Sequence, residues 1–578
     1  MIRTKELHSG FILPTVLLLS IAIVTIMVTI LTVTTSSFGG NYVDHYQRLS
    51  DEAAEAGSAY ATACLNLSEH VQTWGPSLSR PNLTPNSDCN GANTYPTNTY
   101  IYSDSTVRTY FSVGNLDYTA AFSAQISAIG YAEVLRPNGT IEKTYTSMQK
   151  KVITWPTDIS GQMSASGTNR TCAIVTSQVY CWGFNRYGQL GNGQYLNSGS
   201  TEDAAPTVDS KIPVKVLQQP GVLAGKKIVK IFVAQHHSCA LSDDGKMYCW
   251  GINSDGQLGN DTTTNLTPAV PIQVGGALAG KVVTDIGGTF NTSCAIAESK
   301  IYCWGNNSKG TTGVGLTSGD TDVPTLVTAT NLPVNYVATE LSTSGSRSRT
   351  MCAIVNTKAY CWGDNDSGAV GDGTTTDRTM PTKVVDTGVL SGKTVTEISA
   401  EGYVGDENAS DGTDIPGPHV CVIANGALYC WGENSDGQLG DNTSADKFTP
   451  VAVIASGVLA GKTIQDVKLG IYHTCALASG GVYCWGRDNY GQVGDGGTGA
   501  QASKDVPIQV TQEAGKLTAS NVIAIGAGAN RGCAVVTDGR TFCWGLNSSG
   551  QIGDGTTTNA YVPTESLFLR PLSNQYIF

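Results

Sequence analysis

Hydrophobic and polar positions divide the chain into three regimes. From Phe11 to Val33 the residues are almost uniformly apolar, and no charged residue falls between Phe11 and Asp44. A run of that length is about long enough to cross a bilayer as a helix. The next stretch, "DHYQRLSDEAAEAGSAYATACLNL", mixes early charges with alanines and predicts a continuing helix. Three later segments, "VRTYFSVG", "AQISAIGYAEVL" and "TIEKTYTSMQKKVIT", predict strands, the last two joined by a hairpin turn at Asn138-Gly139. From about residue 160 to the C-terminus the pattern changes again: short strand-like segments, paired cysteines and glycine-rich connections recur in register.

The recurring mark is Cys-Trp-Gly, which appears seven times, at Cys181, Cys249, Cys303, Cys361, Cys430, Cys484 and Cys543, at intervals of 54 to 69 residues. Strand-rich units with such a period must bury their faces against neighbours, as in a propeller or solenoid. Along "KMYCWG", Met247 and Cys249 point one way and Tyr248 and Trp250 the other, so both faces of the sheet need cover. Each Cys-Trp-Gly cysteine follows another by nine or ten positions, a spacing that places the two opposite each other across a hairpin with a two- or three-residue turn. The predicted bridges are Cys172–Cys181, Cys239–Cys249, Cys294–Cys303, Cys352–Cys361, Cys421–Cys430, Cys475–Cys484 and Cys533–Cys543. Zinc ligands stand closer in sequence and do not fit this spacing. Cys64 and Cys89 remain, and pair most simply with each other.

These residues resemble the regulator of chromosome condensation repeat, whose units read His-Thr-x-Ala-Leu, Val-Tyr-x-Trp-Gly-x-Asn and Gly-Gln-Leu-Gly. The resemblance covers about 160–578 and implies a seven-bladed β-propeller. Seven proline-led strands, from "IPVKV" to "VPTESL", each follow a Cys-Trp-Gly motif, which leaves the first blade without a leading copy. The expectation is that the last one, Val562 to Leu567, returns to complete blade one and so closes the ring.

The N-terminus resembles a type IV prepilin or pseudopilin: a short charged leader, residues 1–10, ends at Gly10 before Phe11 and an apolar helix over 11–35. That resemblance implies cleavage between Gly10 and Phe11, methylation of the new terminus, and a pilin-like α+β domain over 36–155 ahead of the propeller at 160–578. Where pilins carry a glutamate this chain has Thr15. The fold expected is therefore mainly β, with a pilin-like domain and its long N-terminal helix in front.

Composition narrows the function. Charged residues are 14% of the chain and the formal net charge is -12, which gives no footprint for nucleic acid. Sixteen cysteines in pairs point to an oxidising compartment. No metalloprotease His pair, phosphate loop or nucleophile elbow occurs, so neither an enzyme nor a cofactor is expected. His237, His419 and His473 occupy a repeat column held elsewhere by Arg170, Thr292, Thr350 and Arg531, which reads as structural. "DNDSG" at Asp364 and "ENSDG" at Glu433 are weak matches to calcium loops and read as inter-blade turns. The informative variation is in three insertions, 193–211, 343–349 and 401–419. From them come the candidate ligand contacts Tyr195, Tyr403, Asp406 and the "SRSR" run Ser346, Arg347, Ser348, Arg349.

Together these features lead to an expectation of a minor pilin at the tip of a fibre, held in the inner membrane before assembly and then extracellular. Its propeller head would adhere to a surface protein or glycan, and its helix would pack against other pilin subunits. The alternatives are a membrane-anchored receptor and a secreted, enzyme-inhibitor-like propeller.

Overall fold

The computed structural model describes residues 41–67, most of 101–154, and 163–567 apart from short stretches and the longer connections 195–208, 266–271, 403–416 and 512–516. The chain divides into two compact units, Met1–Trp155 with Leu569–Phe578, and Pro156–Phe568.

In the first unit helix α1, Asn41–Leu67, lies on a five-stranded antiparallel sheet. The helix turns a small-residue face to the sheet: Ser50, Ala53, Ala54, Ser58 and Ala61 are all buried, at helical spacing. Gly130 lets the sheet touch the helix backbone, since a Cβ there would sit 2.0 Å from the Ser50 carbonyl oxygen. Ser123–Leu135 is the central strand, pairing with Val107–Val113 on one side and Ile141–Thr154 on the other. The expected leader and apolar helix, residues 1–35, lie outside the described residues. No helix among the described residues is long and apolar enough to cross a membrane. Of the domain implied by resemblance, the described residues contain one 27-residue helix on a sheet.

The second unit is seven four-stranded antiparallel sheets, the blades of a propeller. Blade 2 serves as pattern, with strands a to d at Ile228–Val233, His237–Ser242, Met247–Gly251 and Ile272–Gln273. Strands b and c carry the cysteines directly opposite each other, Cys239 to Cys249, with Cα atoms 4.1 Å apart. The other six blades pair their cysteines in the same way, with nothing exposed at the sulfurs. No described cysteine is free, and Cys64 is disulfide-bonded, while Cys89 lies outside the described residues.

Each seam between blades has the same two walls. The cysteine face of one blade packs on the Tyr/Trp face of the next: Cys239 and Cys249 share a core with Tyr302 and Trp304, and Cys421 and Cys430 with Tyr483 and Trp485. Every one of these tryptophans is fully buried and donates its indole N–H to a backbone carbonyl of the preceding blade. Trp250 donates to Gln189 at 3.0 Å, Trp304 to Gln257 at 3.1 Å and Trp431 to Ala369 at 2.9 Å. Two residues beyond each acceptor is a glycine at positive φ lying flat on the indole, such as Gly371 at φ 74°.

The ring closes through this same contact and not by an exchanged strand. Blade 1 contains its own proline-led strand, Ser210–Lys215, paired to Gln178–Gly183, and the last such strand, Ala560–Glu565, belongs to blade 7. The expected return of Val562–Leu567 to blade 1 is therefore corrected. Closure comes from Trp182, which donates to the Gln551 carbonyl at 2.9 Å, with Thr171 Oγ1 donating to the same oxygen. A proline-led segment follows its Cys-Trp-Gly by one connection and pairs as strand d of the same sheet, so each blade is contiguous in sequence.

Two glycine substitutions test the seam. Gly371 and Gly388 have similar φ, 74° and 78°, but an added Cβ meets Trp431 Nε1 at 2.5 Å in the first and nothing within 4 Å in the second. Gly388→Ala should cost about 1 kcal/mol from backbone conformation alone, whereas Gly371→Ala should cost more than about 3 kcal/mol because the indole must shift. Urea melts of the two variants measure this, and equal losses would remove the close approach from the account.

Candidate recognition face

Strand order gives the propeller two unlike faces. The a–b turns and c–d loops gather on one, the loop face; the b–c hairpins and d–a crossovers gather on the other, the hairpin face. All three long connections singled out by sequence belong to the loop face. Residues 193–209 join strands c and d of blade 1, and 342–349 and 402–418 are the a–b connections of blades 4 and 5. Chain entry at Met163–Ser164 and exit after Glu565 are both at the hairpin end of their strands.

The c–d loops are built around one buried side chain each. In blade 2 the Asn253 Oδ1 accepts the Leu258 N–H at 2.9 Å, and its Nδ2 donates to the Asn260 side chain and to the Thr262 and Thr264 carbonyls. A second side chain twelve residues on, Asn265, accepts the Asn253 N–H at 2.7 Å. Asn365 with Asp377 and Asn434 with Asp446 repeat the scheme. Asp364 and Glu433, weak calcium candidates, are part of this loop scaffolding: each accepts a backbone N–H from two residues on. Asp364, Asp366 and Asp377 do lie close together, but Lys309 of the neighbouring blade inserts its ammonium 3.2 Å from both Asp366 and Asp377 and supplies the positive charge there.

Beneath the loops runs the column just ahead of the first cysteines, fully buried. Arg170 donates to the Ala234 and Gln235 carbonyls of blade 2 and to Ser238 Oγ. His237 Nε2 meets Ser293 Oγ of blade 3 at 2.8 Å, and His419 Nε2 meets Thr474 Oγ1 of blade 6 at 3.1 Å. His473 Nε2 is 3.1 Å from the Arg531 carbonyl oxygen, so that nitrogen carries the proton and donates. Arg531 Nε donates to Thr171 Oγ1 across the closing seam. Thr292 and Thr350 instead donate to carbonyls of their own blades, at 2.6 Å. Burial pulls His237 and His419 down to about 3 and His473 to about 4, so these rings stay neutral and serve as inter-blade stitches. Burial also lowers Arg170 and Arg531 to about 9.

A second ionisable column lies on the inner strands and escaped the sequence reading. A β-bulge one residue earlier aims Lys230, Asp285, Glu340, Glu397 and Asp466 from successive blades, and Ala524 takes the place in blade 7. Lys230 pairs with Asp285, whose other oxygen accepts the Leu341 N–H at 2.8 Å. Lys468 bridges Asp466 and Glu397, the latter at 2.8 Å. Burial pushes Glu340 up to about 7 and Glu397 well above the usual carboxylate range, against the pull of Lys230 and Lys468. The only sequence signal is a charged residue at the third position of the inner strands of blades 2 to 6.

Aromatic and cationic side chains crown the loop face. Tyr187 meets His236 edge-on at 5.4 Å between centroids, and His236 meets Phe290 at 5.3 Å, linking three successive blades. Arg487 lies 3.7 Å over the Tyr472 ring and is paired to Asp436 at 2.7 Å. Of the sequence-predicted contacts, Arg349 is half-buried and its carbonyl accepts the Asp364 N–H at 3.1 Å, and Ser348 is buried, its Oγ accepting the Thr350 N–H. Tyr195, Ser346, Arg347, Tyr403 and Asp406 lie outside the described residues, as do Gly10, Phe11 and Thr15.

Comparison with known proteins follows this geometry. The regulator of chromosome condensation (RCC1) repeat matches residues 177–241, 244–295, 425–477, 479–535 and 538–572. The ultraviolet-B receptor UVR8 of Arabidopsis thaliana is 28% identical over 419 residues, 72% of this chain and 83% of that protein. The human E3 ubiquitin-protein ligase HERC2 is 27% identical over 381 residues, 66% of this chain but 7% of that protein. Among solved structures, human WBSCR16 superposes with a TM-score of 0.53 at 21% identity, covering 68% of this chain and 94% of that one. The propeller is therefore made of RCC1-like blades. These relatives are a receptor, a ligase and a further propeller, none of them a pilin. They overturn the expectation of a pilus-tip adhesin and of its passage from inner membrane to fibre.

The inner column makes a pH prediction. The folded Glu340 holds its proton up to about pH 7, and the unfolded chain up to about 4.5. Between those values the folded state binds the extra proton, so this group's contribution to stability falls as pH rises. Glu340→Gln should therefore gain on the wild type by about 2 kcal/mol between pH 5 and pH 8, measured by urea melts at each pH. An unchanged difference would show the carboxyl titrating as an exposed one.

Proposed function

We propose, taking the RCC1 repeats of this chain as premise, that it is a non-catalytic recognition protein whose propeller binds a macromolecular partner through its loop face. One observation carries this reading: the three insertions singled out by sequence and the Tyr187–His236–Phe290 aromatic cluster all belong to the face opposite the points where the chain enters and leaves the ring. Seven buried disulfides and seven tryptophan seams fix the blades beneath, so the face is preorganised and little entropy is lost on binding. The likeness to a protein named as a receptor fits the same use.

The ionisable groups argue against catalysis. Those of the buried column are neutral stitches or hydrogen-bonded guanidiniums, and in the inner column Asp285, Glu397 and Asp466 are paired with lysines while burial holds Glu340 up at about 7. The two hydroxyls that meet histidines, Ser293 and Thr474, are buried and donate their protons to the Gln257 and Gln438 carbonyls, so neither is activated by its imidazole. A partner is therefore held, not transformed.

Hydroxyl-radical footprinting of the whole chain with its bound partner tests the reading. Protection should map to Tyr187, Phe290, Tyr472 and Tyr490 and to the three connections. Protection confined to the hairpin turns or to the outer strands would refute it.

A further inference from the structure

The loop face is acidic as well as aromatic. Five lysines and arginines of its loops and adjoining strand ends form ion pairs with carboxylates of the same face: Lys309 with Asp366 and Asp377, Arg378 with Asp372, Lys447 with Asp441, Arg487 with Asp436, Lys504 with Asp495. A surplus of carboxylates remains, and two of them stand beside the aromatic cluster. Asp255 is half-buried and accepts a hydrogen bond from Asn291 Nδ2 at 2.6 Å, next in sequence to Phe290. Burial raises Asp255 above the usual carboxylate range, and Asp320, an exposed residue of the next blade, adds to the shift. The contact is between loops, since a Cβ on Gly256 would touch Asp322 Cα at 2.4 Å. No lysine or arginine among the described residues forms an ion pair with Asp255, Asp320 or Asp322.

The aromatic ledge is independent of these charges. Tyr187 is 40% exposed, while His236 and Phe290 present half-buried rings, and Phe184 closes the row 6.2 Å from Tyr187. Ring faces attract a cation within about 6 Å through their quadrupole, and neighbouring carboxylates that repel each other are relieved by one. The hairpin face has the opposite character. There lysines recur in the crossovers, Lys226, Lys281, Lys393 and Lys462, so an approaching partner meets two faces of different sign.

We infer that the loop face takes a cationic partner, a lysine- and arginine-rich segment of another protein, whose side chains seat on the Tyr187–His236–Phe290 ledge beside Asp255 and Asp320. The inference rests on the loop-face reading above and adds the chemistry of the partner. The surplus carboxylates steer the segment in, and the rings hold the aliphatic stems and charged heads of its side chains.

The test uses the whole chain and three fluorescent probes: a lysine- and arginine-containing peptide, a glutamate peptide of equal length and a neutral oligosaccharide. The basic peptide should bind, and more weakly as salt is raised. Tyr187→Ala and Phe290→Ala should each weaken it about tenfold, and Asp320→Asn a few-fold, with melting temperatures unchanged. Lys462→Glu on the hairpin face is the control and should not weaken binding. If the oligosaccharide binds in place of the basic peptide and the same aromatic variants abolish it, the cationic partner is refuted while the loop face stands. Tight binding of the basic peptide that ignores every loop-face variant refutes both. Binding of the glutamate peptide alone, or of no probe, refutes the cationic partner.

Discussion

The fold depends on one contact made seven times, an indole N–H donated to a backbone carbonyl of the preceding blade across a glycine that has no room for a side chain. The contact joins shape to polarity. The indole fills the space between two sheets, and its single donor is satisfied without a side-chain partner. Because the acceptor is backbone, the residue that supplies it can change freely. Thr311 and Ala369 take the place of the usual glutamine in blades 3 and 4, yet Trp362 and Trp431 keep their bonds at 2.9 Å. Those substitutions fall within residues 296–424, the part of the propeller that the repeat profile does not match.

Equivalence of the seams has a functional consequence. A ring closed by seven like contacts has no weak joint at which strand exchange must be undone, and the disulfides staple strands b and c within each blade. Deformation is thus left to the connections. Long loops can vary on one face without disturbing the sheets, and the buried Arg/His column shows how: the insertion of blade 5 begins at Glu401, whose charge opposes the depression of Arg531, and ends at His419, hydrogen-bonded to Thr474. Variation is anchored at both ends in the inter-blade network.

Much of this was legible in the sequence. Alternation along "KMYCWG" separates the cysteine and tryptophan walls, and the nine- and ten-residue cysteine spacings match the two hairpin turn lengths seen. Which sheet a proline-led strand joins was not legible, because a repeat read from one sequence has no marked beginning, and only the pairing of Cys181 with Val214 settles it. The inner ionic column was also hidden. A lone Lys230 or Glu340 in an inner strand is no motif until bulges in successive blades turn such residues toward one another. The aromatic ledge is similarly assembled from three blades, so Tyr187 and Phe290 are distant in sequence. The pilus expectation grew from residues 1–35, and the relatives of the propeller correct it.

Indole hydrogen exchange measures the central claim directly. In a sample labelled at tryptophan, seven indole N–H signals should exchange slowly and together, with Trp182 at the closing seam as protected as Trp304 or Trp485 within the ring. If Trp182 exchanges at the rate of an exposed indole while the other six are protected, the ring is open between blades 7 and 1, and a rigid recognition face built on its closure is contradicted.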